Sequence, residues 1–405
     1  PPPRPSHDTP PTETYTVLTS SAASDLYKRQ ADLTAWRREL HRHPELSGEE
    51  VGTAARIVEM LTPTAPDGLL TGLGGHGVAA VYEGTAEGSS ILLRCDIDAL
   101  PIEELADTPH RSTAPGKAHL CGHDGHSAIL AGVARWLGRN RPARGRAILL
   151  FQPAEEDGSG AAKVIADPRF REIVPDFALA LHKMPGVPLG VAVLKEGIMN
   201  CASRGMRIVL SGRTAHASKP ETGLSPAPAI AQLLHRLTDL GQGGSQADPG
   251  FSLVTVTHAR IGEPAFGVAP GRAELWVTLR TQRDAGMDAL VAAAEAEVVD
   301  AAGKSGLKTE ITWHDVFRHC ENQPDATRLL AAALDAEGIR TATGDLPMRA
   351  SEDFGRFGDH AKSAMMLLGA GEQSPALHNP DYDFPDPLIE TGARIFIRCL
   401  RSHLF

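Results

Sequence analysis

The chain has 405 residues, 42% apolar and 22% charged, with a formal net charge of -10. That composition supports a large core and excludes a disordered chain, and the acidic balance argues against a nucleic-acid binder. No run of 18 or more apolar residues is present, so no membrane span and no membrane partner are expected.

The first eleven residues hold six prolines, and residues 1–23 read as a flexible, proline-rich arm. "DLTAWRRELHRHPELSGEE" predicts a helix opened by Asp32 as N-cap, and "EEVGTAARIVEMLT" predicts a second. Short apolar runs then alternate with helical segments. "GVAAVYEG", "SSILLRCDID", "RAILLFQPAEE" and "DFALALHKM" read as strands, "HSAILAGVARWLG" and "SGAAKVIADPRF" as helices. The alternation predicts an α/β domain, with a largely parallel central sheet flanked by helices, over 24–197 and 315–405. Between them, 198–314 carries the order β-α-β-β-α-β and predicts an inserted ferredoxin-like α+β domain. "SAMMLLGAG" and "PLIETGARIFIRCL" return the chain to the first domain.

The five cysteines, Cys95, Cys121, Cys201, Cys320 and Cys399, are scattered and odd in number, which suits reduced thiols and a cytoplasmic location. Cys121 differs from the rest by its neighbours. "HLCGHDGH", His119 to His126, crowds one thiol, three imidazoles and a carboxylate into one loop. Other chemistry-bearing residues end apolar strands: Asp96 and Asp98, Glu155 and Glu156, and His182. His378 follows "MMLLGAGEQSPAL". In an open parallel sheet the carboxyl ends of the strands border the ligand crevice, so these residues can converge.

Several chemistries compete for them. No G-x-S-x-G elbow is present for a serine hydrolase. "GLGGHG" at Gly72 to Gly77 fits a dinucleotide fingerprint in letters but precedes a strand, not a helix. A thiol hydrolase using Cys121 stays open, though it leaves the paired glutamates and His182 without a role. A metal site uses thiolate, imidazole and carboxylate together.

"RRELHRHPELSGEE", "LRCDIDALPIEE", "HLCGHDGHSAILAG", "FQPAEEDGSGAAKVI" and "GRTAHASKPETGLSP" together resemble the dinuclear-metal aminoacylase and carboxypeptidase superfamily. "SEDFGRF" and "LHNPDYDFP" fit its amidohydrolase branch, that of hippurate hydrolases and plant auxin-conjugate hydrolases. The resemblance implies that the first domain is a catalytic, metal-binding domain and the inserted one a lid, with two divalent metal ions, zinc first, and manganese, cobalt or nickel as alternatives. Carried over by position, it implies metal ligands Cys121, His123, Glu156, His182 and His378, with Glu155 as general base and Asp98 orienting a ligand. It implies that His216 in the lid meets the reacting carbonyl and binds substrate, in some relatives across a dimer, so a homo-oligomer through the lid is an open expectation. Gly267 stands where the branch has a substrate-binding asparagine, and Arg280 is a candidate for a substrate carboxylate. His41, His43, His76 and His119 read as structural, and Asp124 and His126 as orienting groups. The expected activity is hydrolysis of N-acyl amino acids, small-molecule substrates. A metallo-exopeptidase or dipeptidase on the same site is the alternative.

Overall fold

The computed structural model describes residues 20–405. In chain order the first half comprises α1 (Ser20–Arg42), α2 (Val51–Leu61), β1 (Gly68–Leu73), β2 (Gly77–Glu83), β3 (Ala86–Asp96), α3 (His123–Leu137), β4 (Arg144–Gln152), α4 (Gly160–Ala166), β5 (Phe177–Pro185), β6 (Ala192–Val193) and β7 (Gly197–Asn200). The middle comprises β8 (Ala202–Ser211), β9 (Ala215–His216), α5 (Ala227–Thr238), β10 (Ser252–Ile261), β11 (Val268–Ala269), β12 (Arg272–Thr281), α6 (Asp284–Lys304) and β13 (Lys308–Phe317). The chain closes with β14 (Cys320–Asn322), α7 (Pro324–Ala336), β15 (Thr341–Ala342), β16 (Lys362–Gly371) and α8 (Pro387–Leu404).

The large sheet has eight strands in the order β1-β2-β4-β3-β5-β16-β6-β15. Its centre, β4-β3-β5-β16, is parallel, and antiparallel pairings flank it. Side chains on a strand alternate between faces, so "FALAL" divides its apolar residues. Leu179 and Leu181 pack with α3 and α8 in one core, Ala178 and Ala180 with α4 in another. Both faces are covered, which is why these strands read as continuous apolar runs. "GLGGHG" spans the β1–β2 turn, where no helix follows.

A second, four-stranded antiparallel sheet runs in the order β10-β12-β8-β13. The helices α5 and α6 bury one face of it around Ile208, Leu275 and Leu279. Its other face meets the first domain at the Ser203 and Arg280 end and is open around Trp276. The two chain crossings between the sheets, β7 and β14, pair with each other.

The expected N-terminal arm lies outside the described residues as far as residue 19. From Ser20 the chain is already helical, so Asp32 lies inside α1 and not at its start. Nothing between them stops a helix, since Ser20 to Ala31 contains no glycine or proline.

α1 is fastened to α3 by buried charge. The Arg37 guanidinium, fully buried, donates to Asp124 at 3.0 Å and to Asp383 at 2.6 Å. His41 bonds Asp124 at 2.9 Å and Glu104 at 3.2 Å. Burial pushes His41 down, but the Asp124 charge and these two bonds outweigh it and hold His41 at about 9. This folded value is above the ordinary 6.5. The stability it contributes is therefore complete below the unfolded pKa and is lost as pH rises through about 9. The melting-temperature advantage of the metal-free wild type over His41→Gln is expected to be largest in mild acid and to shrink toward pH 9; an advantage that grows with pH would contradict this.

α3 also has no room at Gly125, where a Cβ would fall 2.2 Å from Cγ and Cδ2 of Phe384. Gly125→Ala should cost about 1–3 kcal/mol by overpacking. The check is a lower urea midpoint at unchanged m-value.

Candidate metal centre and active site

The strand ends deliver the polar groups to one place. Asp96 closes β3, Glu155 and Glu156 follow β4, His182 lies near the end of β5, and the loop after β16 brings His378. Gly122, at φ +70, lets the chain turn sharply into α3, and a Cβ there would meet Lys183 Cε at 2.4 Å. The first turn of α3 is buried throughout, with His123, Asp124 and His126 pointing in different directions.

Hydrogen bonds sort these residues by role. His123 Nδ1 donates to the Asp98 carbonyl at 2.9 Å and lies 3.2 Å from Asp98 Oδ1. Its Nε2 is buried with no hydrogen-bond partner, 3.7 Å from Glu156 Oε1, which is also buried and unpartnered. His182 Nδ1 donates to the Lys183 carbonyl at 2.8 Å, leaving Nε2 3.6 Å from Cys121 Sγ. His378 Nε2 lies 3.7 Å from Glu156 Oε2. Adjacent donors on one tetrahedral ion would sit roughly 3.4–3.8 Å apart, given the bond lengths of zinc to nitrogen and sulfur. The donor set, the orphaned buried atoms and the spacing therefore fit a divalent metal. Cys121, Glu156 and His378 form one group of possible ligands, and His123, Glu155 and Glu156 another, each with its donor atoms within 4.8 Å. Glu156 belongs to both.

Asp98 holds the His123 side chain and the Glu156 backbone. Besides His123, its Oδ2 accepts from the Glu156 amide at 2.9 Å and from Ser47 Oγ at 2.7 Å. His126 has no nitrogen to spare: Nδ1 bonds Asp96 at 2.7 Å and Nε2 accepts from the Lys183 amide at 3.2 Å. Asp124 faces α1. His41 and His119 are buried away from the pocket, and His43 and His76 are not among its lining residues.

Charge explains the protonation states. Burial, joined by Lys183, holds His182 well below the ordinary imidazole value, and burial, joined by Lys183 and His123, brings His378 to about 4. Both rings are then neutral, the form that binds metals. Burial lifts Glu156 to about 7 against the pull of His123. Burial, then Glu352 and Glu156, pushes Glu155 well above the carboxylate range. A bound cation would reverse this logic by favouring the ionised forms.

Residues beyond the sequence reading complete the site. Arg94, fully buried, donates to Asp96, Gln152 and Asp353 at 2.9, 3.0 and 2.6 Å, and lies 3.1 Å from Glu352. Glu352 and Asp353 approach Glu155 closely enough for their oxygens to share a 4.8 Å neighbourhood. The available signal was "SED" ahead of Phe354 and Phe357: two acids beside two buried aromatics.

A cavity of about 270 Å³ lies between the ligands and this other face of the second sheet. Asn200, Ser203 and Arg280 line its far side. Arg280 donates to the Arg349 carbonyl at 2.7 Å and to Ser351 Oγ at 3.0 Å. His216 and Gly267 are not brought to this cavity. His216 is exposed on β9, paired with Val268 of β11, and its Nδ1 accepts from Ser218 Oγ at 2.7 Å. Gly267 lies beside the fully exposed Phe266, with open space around it. Among the described residues no helix is long and apolar enough to cross a membrane.

Residues 92–402 match the model of peptidase family M20/M25/M40. The N-acetyl-L-cysteine deacetylase of Bacillus subtilis (strain 168) is 31% identical, over 92% of this chain and 88% of its own. The hippurate hydrolase of Campylobacter jejuni is 28% identical, over 93% and 97% respectively. The solved structure of the Bacillus subtilis YXEP protein, a dinuclear metal-binding peptidase of the M20 family, superposes with a TM-score of 0.75 at 26% identity, covering 92% of this chain and 98% of that one. With its candidate ligands at the strand ends and its second sheet across the cavity, the chain belongs to the M20/M25/M40 peptidase family, as an amide-bond hydrolase.

Proposed function

We propose that the protein hydrolyses N-acyl amino acids to a carboxylic acid and a free amino acid. The observation that carries this is Glu155. Its carboxylate lines the cavity beside the ligand set, 4.0 Å from His123 Nε2, and makes no hydrogen bond among the described residues. It is free to accept a proton where a water would attack. The deacetylase and hippurate hydrolase relatives support an acyl group on the amino acid nitrogen.

Cys121, His123, Glu156, His182 and His378 would hold two divalent ions, zinc first among the candidates. Such ions supply Lewis acidity to the scissile carbonyl and acidity to water. Glu155 takes the water's proton and delivers it to the leaving nitrogen. Asp98 keeps His123 and Glu156 aimed. Arg280 holds the substrate carboxylate in this reading, exchanging its bonds to Arg349 and Ser351 for it. His216 acts as oxyanion donor only once the lid closes or a second copy of the chain presents it.

Glu155→Gln should keep its metal, measured by elemental analysis, while kcat falls by roughly 10²–10⁴. Cys121→Ala should lose metal and activity together. The reverse pattern would make Cys121 a nucleophile and overturn the reading.

Chelation should abolish turnover and added divalent ion restore it, with activity falling in mild acid as protons compete for the ligands. Full activity of metal-free protein, or free dipeptides turning over faster than N-acyl amino acids, would count against the assignment, the second in favour of an exopeptidase.

A further inference from the structure

The open part of the lid sheet carries a second hollow, of about 500 Å³, that adjoins the metal cavity. Gly205, Thr278 and Asp315 line both. Gly205 pairs with Thr278 on one side and His314 on the other, so the three strands form a common floor. Gly205 puts no side chain on that floor, and a Cβ there would meet the His314 carbonyl at 3.1 Å. Asp315 stands at the junction with a left-handed backbone, φ 48, and a carboxylate that makes no hydrogen bond among the described residues. Non-glycine residues held in that region cluster at functional sites.

One rung further out, Trp276 pairs with Arg207 and with His258. Same-face residues on a strand advance roughly 6.6 Å per pair, so Trp276 stands roughly 13 Å beyond Arg280 along β12. Its indole is 45% exposed yet fixed. Nε1 donates to Glu274 at 2.7 Å, Glu274 pairs with Arg207 at 2.7 Å, and His258 lies against the ring at 5.3 Å between centroids. A large aromatic held still, facing a hollow continuous with the metal cavity, is a platform for a flat apolar group.

We infer that the open part of the lid face is a distal substrate subsite, centred on Trp276, for an aryl group carried several bonds away from the scissile amide. This rests on the amidohydrolase reading above and names its substrate class: N-acyl amino acids bearing an extended, aryl-terminated chain. The unpaired Asp315 carboxylate at the junction repels an anionic chain, so the group that passes it is neutral or cationic, and the substrate carboxylate stays at Arg280. The aryl group can belong to the acyl half or to the amino acid half.

The test compares kcat/KM for N-(5-phenylpentanoyl)glycine and for N-acetyl-2-amino-8-phenyloctanoic acid, each relative to N-acetylglycine. It uses the metal-loaded wild type, Trp276→Ala and Trp276→Phe. Trp276→Ala should lower one aryl-to-reference ratio about tenfold, the scale of a lost apolar pocket contact, and Trp276→Phe should keep it within about twofold. The arm that moves identifies the half that carries the ring. Equal ratios in wild type and Trp276→Ala would overturn the subsite while leaving the amidohydrolase reading standing. Should none of the amides be hydrolysed, that reading fails, and calorimetric binding of N-(5-phenylpentanoyl)glycine and of 2-amino-8-phenyloctanoic acid decides the subsite alone. About tenfold weaker binding of either by Trp276→Ala supports it; equal affinity, or no binding to the wild type, overturns it.

Discussion

Arg94 is 1% exposed and sits among Asp96, Glu352 and Asp353. An isolated buried charge is too costly to keep, and three carboxylates gathered without a cation would not all ionise. The guanidinium answers with a planar fork that reaches several acceptors at once. Breaking such a cluster by removing the cation is far worse than never having built it. The same demand recurs one layer out, where Arg37 and His41 surround Asp124, and at the centre, where the buried Lys183 amine interacts with Cys121 and Glu156. Asp96, Asp124 and Asp353 are each held by a guanidinium in this way, whereas the Glu155 carboxylate has no hydrogen-bond partner among the described residues, and a bound metal would supply the innermost acids with a positive one.

That compensation also decides which imidazole does what. His123, His126 and His182 are near neighbours, with ring centroids 4.7–6.1 Å apart. They differ in what occupies their second nitrogen. Asp98 and the Lys183 carbonyl each take one nitrogen of His123 and of His182 and leave the other facing the centre. Asp96 and the Lys183 amide take both from His126.

The parts of the site that sequence reveals are those whose placement follows from local pattern. An apolar run that ends in acids or histidines places them at a strand end, and a glycine before "HDGH" starts a helix there. Cys121, His123, Glu155, Glu156 and His182 follow from that rule, and alternation within each segment of the inserted domain likewise tells its strands from its helices. What stayed hidden depends on pairings across long separations. Arg94 meets Asp353 across 259 residues and Arg37 meets Asp383 across 346, and no spacing announces either. The position of His216 was hidden for another reason. A motif records a residue's presence, whereas its distance from the cavity depends on how a two-residue pairing, β9 with β11, sits at the edge of the lid.

β16 lies between β5 and β6 in the large sheet, although it is the last strand in the chain. The loop behind it carries His378, and α8 behind that packs on α3, whose first turn bears His123. A ribosome making this protein therefore releases most of the ligands, and the whole lid, before the central sheet can close. Until β16 inserts, β5 has an open edge and His378 is not yet in place. Metal capture that uses His378, as proposed above, would wait for the end of translation, and a chain truncated after the lid is left with an unfinished sheet.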